Sequence, residues 1–126
     1  MTAIFLPLLA LLTLSQTAQN PMTTSQSYQA KLVTEELGNM LSIDSRFTNN
    51  TNADVSFTYR MKSERSGAAG KSVNSQSGTV KASAGQTITL SKSSFSVTPQ
   101  DTYTIVLEII DKEKVIAQDQ IVYQGK

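Results

Sequence analysis

From Val55 to Lys62 the chain alternates residue by residue: Val55, Phe57, Tyr59 and Met61 are apolar, while Ser56, Thr58, Arg60 and Lys62 are polar or charged. A period of two is the signature of a β-strand with one dry and one wet face. Thr102 to Ile110 repeats it more apolarly, with Tyr103, Ile105, Leu107 and Ile109 on one face and Thr104, Val106, Glu108 and Ile110 on the other. That second pattern predicts a central strand. Weaker alternation runs through Tyr28, Ala30 and Leu32, through Leu41, Ile43 and Phe47, and through Val115 to Tyr123. Val73 to Ala82 predicts a pair of short, weakly apolar strands, and Thr87 to Leu90 with Phe95 and Val97 completes the set. Turn residues separate the runs at Asn49 to Asn52, Ala84 to Gln86 and Asp111 to Lys114. Asn49-Asn50-Thr51 also satisfies a glycosylation sequon, although a polar turn accounts for the same letters.

About seven strands with no amphipathic helix predict an all-β fold, an immunoglobulin-like antiparallel β-sandwich of about seven strands. The immunoglobulin-like detail rests on Pro99 to Tyr103. A Tyr entering the next-to-last strand just after an Asp stands where a tyrosine corner sits, its hydroxyl bonding back to upstream backbone.

Composition narrows what such a sandwich can do. The 126 residues contain neither Cys nor His and carry a formal net charge of +1. No disulfide can hold the domain, so packing and strand pairing must. Thiolate chemistry, the commonest metal ligand and the commonest general base are all missing. The near-neutral charge does not suggest nucleic acid as a partner. The carboxylates are scattered over turns and wet faces with no acid–base pair, so the chain is not expected to be an enzyme, and no cofactor or metal is expected.

The first residues read differently from the rest. Ile4 to Leu14 is an apolar run, and a polar, small-residue stretch follows it to Pro21. The run is too short to span a bilayer and fits a secretory signal. The expected organisation is a signal peptide at 1–18, a flexible polar lead-in at 19–27 and the sandwich domain at 28–126. The mature protein is then periplasmic or secreted, with no membrane attachment after cleavage.

Arg65 to Ser72 resembles a phosphate-binding loop but lacks its first glycine, since Arg65 occupies that place. The sequence after it has no helical spacing, so no helix N-terminus is available to hold a phosphate. The alternative is a glycine hinge between two strands, with Arg65 and Lys71 at its ends.

That stretch also opens a longer pattern. Arg65, Gly67, Gly70 and Ser72 are followed by Gln76 and Gly78, by Gly85 to Ser91 in the order Gly-x-x-x-x-Leu-Ser, by Val97 to Tyr103 in the order Val-x-Pro-x-Asp-x-Tyr, and by Gln120. Over roughly the C-terminal two-thirds this order resembles the small periplasmic curli-assembly inhibitors, the CsgC/CsgH family. The resemblance implies an immunoglobulin-like sandwich that keeps curli-type amyloid subunits from polymerising before export. The Cys-x-Cys pair of one branch has no counterpart here, which places the chain nearer the cysteine-free CsgH-like branch and excludes a redox role.

Curli-type subunits are polar repeats that form cross-β when strand edges meet. An inhibitor must touch such an edge without templating growth, and charge on its own strands serves that end. Arg60 and Lys62 face outward on one strand, Arg65 and Lys71 flank its end, and Val106 and Ile110 face outward on a strand expected beside it. These six are the expected client-binding residues of a monomer. The competing reading is a secreted structural or adhesive sandwich, such as a minor pilus or matrix component. Asn20 to Ser27 lacks the alternating apolar residues of a donor strand, which weighs against it.

Overall fold

The computed structural model describes residues 26–125. The predicted leader, 1–18, and most of the lead-in lie outside them. Seven strands follow in order: β1 (Tyr28–Leu37), β2 (Met40–Asn49), β3 (Val55–Gly67), β4 (Gly70–Ala82), β5 (Thr87–Ser96), β6 (Thr102–Asp111) and β7 (Lys114–Gln124). They form a three-stranded sheet, β1-β2-β5, and a four-stranded sheet, β4-β3-β6-β7, with every pairing antiparallel. The all-β sandwich expected from alternation is the observed fold. β6 is indeed central, lying between β3 and β7.

The dry faces meet between the sheets. Leu32, Leu41, Ile43 and Phe47 from one sheet pack with Met61, Val80, Ile105, Leu107 and Ile109 from the other. Period two explains this directly, because one register puts every apolar residue of β6 inside. Phe47 and Phe57 meet edge to face across the core, with centroids 6.1 Å apart. Such aromatic pairs add about 0.5–1.5 kcal/mol beyond the area they bury.

One expectation is corrected. Val73 to Ala82 is not two short strands but part of one, β4, which is 13 residues long and pairs with β3 along its whole length. Its apolar signal is weak because Gly70 to Ser77 is exposed. Ladder hydrogen bonds, which any residue but Pro can make, hold it there. The glycine hinge is a two-residue hairpin turn, Ala68-Ala69, with Gly70 at φ +119°. β3 and β4 thus form a hairpin arm of 13-residue strands, and β3 stays paired with β6 from Thr58 to Ser66.

The two sides of the sandwich differ. At the β1–β7 side the Leu32 amide donates to Asp119 Oδ2 at 2.8 Å, and Tyr123 Oη donates to Glu36. This side is closed. At the β4–β5 side the contact is a loose 3.4 Å pair, Gln76 Nε2 to Ser93 Oγ.

Two polar groups fix the corners. Tyr103 is buried, its hydroxyl accepting from the Thr98 amide at 2.9 Å and donating to the Ser96 carbonyl at 3.4 Å, as expected from its place in the sequence. Asn49 is fully buried, its amide donating to the carbonyls of Ala53, Ala82 and Ser83 while its oxygen accepts from Thr51. The sequon asparagine is therefore a turn device, its nitrogen enclosed in the folded protein.

Candidate functional site

The wet face of the four-stranded sheet gathers most of the expected site. Cross-strand register sets its rows, since residues directly opposite share a face. Lys62 stands across from Val106, and Val106 across from Gln120. One row along, Arg60 is across from Glu108 and Glu108 from Gln118. At the far end Thr58 faces Ile110, and Ile110 faces Val115.

The cations on this face are not equivalent. Arg60 donates through Nε and Nη2 to Glu108 Oε1, at 3.1 and 2.7 Å. Its charge is thereby largely used. Lys71 Nζ pairs with Glu64 at 2.8 Å. The hydrogen bond from Lys71, helped by its charge and that of Lys62, holds the Glu64 carboxyl below its ordinary range. The same hydrogen bond, with Glu64's charge, raises Lys71. Lys62 makes no ion pair among the described residues and stands exposed beside half-buried Val106.

Arg65 is separated from the other five. It lies opposite Tyr103, so it shares the inward face, and its Nε donates to the nearly buried Asp101 carboxylate at 2.8 Å. Alternation alone decides this, because an odd position on β3 cannot share a face with Arg60 and Lys62. The outward face instead includes three valines that the sequence reading did not single out: Val73, Val115 and Val122, exposed by 55%, 42% and 63%. Splitting Val115 to Tyr123 into its two faces would have found Val122.

On the inner side of the arm, a cavity of about 330 Å³ opens toward β5, lined by Ser63, Arg65, Asn74, Gln76, Phe95 and Tyr103. It lies between the two sheets, with Ser93 to Ser96 of β5 facing Ser72 to Gln76 of β4 across it. Among the described residues no group of three or more carboxylates could hold a metal ion.

The class defined by this geometry is a small all-β sandwich whose candidate site is an open sheet surface. The chain belongs to the Tafi-CsgC family, thin aggregative fimbriae synthesis proteins, whose family pattern matches residues 22–121. Among solved structures it is similar to the E. coli curli protein CsgC, with 28% identity, a TM-score of 0.63 and coverage of 75% of this chain and 97% of that one. It shares a fold with R. palustris CsgH, at 21% identity and a TM-score of 0.55, covering 72% of this chain and 89% of that one. Curated protein sequences give no match.

Proposed function

We propose that this protein is a monomeric, non-enzymatic inhibitor of curli-type subunit polymerisation that acts in the periplasm after removal of residues 1–18. Membership in the fimbriae-synthesis family supports a role in curli assembly. The observation that carries the inhibitory reading is the row Lys62, Val106 and Gln120, where an unpaired cation, an apolar side chain and an amide lie side by side on a solvent-facing sheet. Such a row offers a nascent polar strand both attachment and amide hydrogen bonds. The unpaired Lys62 on the same face discourages its indefinite extension. Lys71, Val106 and Ile110 complete the contact surface, and Arg65 supports the arm from behind.

The test is the lag before a curli-type repeat protein fibrillises. Wild-type protein at equal molarity is expected to lengthen it, and Lys62→Glu to shorten it toward the uninhibited value without loss of fold, since exposed changes stay within about 0.5 kcal/mol. Salt weakens the wild-type effect, because exposed charges are screened beyond about 8–10 Å near physiological ionic strength. No delay by wild type defeats the assignment. Intact mass of periplasmic protein is expected to begin near Gln19. Recovery of the full-length chain in membranes would defeat the cleavage.

A further inference from the structure

Among the described residues β4 ends its sheet, pairing with β3 on one side and with no strand on the other. In an antiparallel ladder alternate residues point their N–H and C=O groups away from the partner, so this free side is a row of unmet donors and acceptors. Natural sheets usually blunt such an edge with a charge, a proline or a bulge. Here Ser72 to Val80 carries no charge and no proline, its pairing with β3 shows no register shift, and Gly70 to Ser77 is exposed. Gly78 lies opposite Tyr59, and a Cβ there would come within 2.8 Å of the Tyr59 ring, so glycine lets the ring pack against the middle of β4.

The charges at the two ends of this edge decide what can occupy it. Lys71 and Lys81 share the outward face, because their partners on β3, Ser66 and Ser56, do. If two copies paired through β4 in full antiparallel register, each Lys71 would stand opposite the other copy's Lys81. Like charges directly opposite are destabilising, so the edge is set against its own copy. A strand with acidic or uncharged residues at those two places meets no such penalty. Inward Asn74 and Gln76 add amides that can ladder with Asn or Gln of the incoming strand.

We infer that the free edge of β4, from Lys71 to Lys81, is a docking site for one extended, Asn/Gln/Ser-rich segment of the curli-type subunit, added antiparallel, with no lysine or arginine opposite Lys71 or Lys81. The inference deepens the proposed function and rests on it. The captured strand continues the outward rows of Ser75-Lys62-Val106 and Ser77-Arg60-Glu108 by one position.

Amide hydrogen exchange of the full chain, with and without a monomeric curli-type repeat protein, tests this. Alternate amides between Lys71 and Thr79 are expected to slow by about tenfold or more on binding, as new ladder hydrogen bonds must open first. Ser75→Lys/Ser77→Lys, which changes two exposed residues, is expected to abolish that protection and to weaken inhibition by about tenfold, since central edge charges oppose strand addition. Inhibition that persists with β4 exchange unchanged overturns the edge site and leaves the proposed function standing. No inhibition and no protection overturns both. Protection of β4 that grows with protein concentration in the absence of client shows self-pairing and also overturns the inference.

Discussion

Arg65 Nε and the Asp101 carboxylate meet at 2.8 Å across the junction between the β3–β4 arm and the β5–β6 loop, the carboxylate being 8% exposed and the guanidinium 44%. The pair is backed by Gly67, where any Cβ would collide with the Asp101 side chain. Around it the Gly125 amide donates to the Asp101 carbonyl, and the Gln100 amide to Gly125. Arg65, Gly67 and Asp101 thus form one latch.

Arg65→Ala is expected to destabilise the fold by about 1–2 kcal/mol, because it leaves a nearly buried carboxylate without its charged donor. Gly67→Ala should act in the same direction by displacing that carboxylate. Denaturant midpoints check both. Equal midpoints for Arg65→Ala and wild type would mean that the latch carries no load.

Tyr103→Phe keeps the ring, stacked on Phe95 at 5.3 Å, and removes only the hydroxyl. The Thr98 amide loses its acceptor. The expected cost is about 1–2 kcal/mol, read as a lower midpoint with an unchanged slope.

The Glu64–Lys71 pair predicts a pH window. Glu64 is lowered from 4.5, so its contribution is complete above that value and fades as pH falls through the depressed one. Lys71 is raised from 10.5, so its contribution is complete below that value and fades as pH rises through the raised one. Between these limits the arm tip is pH-insensitive. Carboxyl titration by NMR should show the Glu64 midpoint moving up toward 4.5 in Lys71→Ala; an unmoved midpoint would rule out the pair in solution.

The β6–β7 turn offers a gain rather than a loss. Lys112 and Glu113 both hold positive φ, 51° and 69°, in a two-residue turn that favours Asn-Gly. Lys112→Asn/Glu113→Gly is expected to stabilise by roughly 1 kcal/mol, since left-handed backbone costs most other residues about that much. A thermal midpoint at or below wild type would contradict it.

Strands whose dry face meets the other sheet were legible residue by residue. Tyr59, Met61 and the β6 set Tyr103 to Ile109 sit inside as their alternation requires. The neighbouring of β3 and β6 was also legible, as was the Tyr103 hydroxyl. β4 was not, because an edge strand exposed from Gly70 to Ser77 buries almost nothing there and hydrophobic pattern has no purchase on it. Arg65 was misgrouped for a related reason: proximity in sequence to Lys71 suggested one stripe, whereas parity along β3 turned it to the opposite face. Val115 and Val122 escaped because Val115 to Tyr123 lies at a sheet edge where both faces are partly wet.

The β1–β7 closure has a consequence for how the chain reaches this fold. The bond between the Leu32 amide and Asp119 joins residues 87 positions apart, so the first strand waits for the last before that side can seal. Pairings of such long sequence separation form slowly. As the chain lengthens from its N-terminus, β1, β2 and β5 are present while Leu32 and Ala30 still lack their cover. Completion of the fold is therefore timed by arrival of the C-terminal strand, and a molecule halted short of β7 would itself show bare strand edges to its surroundings.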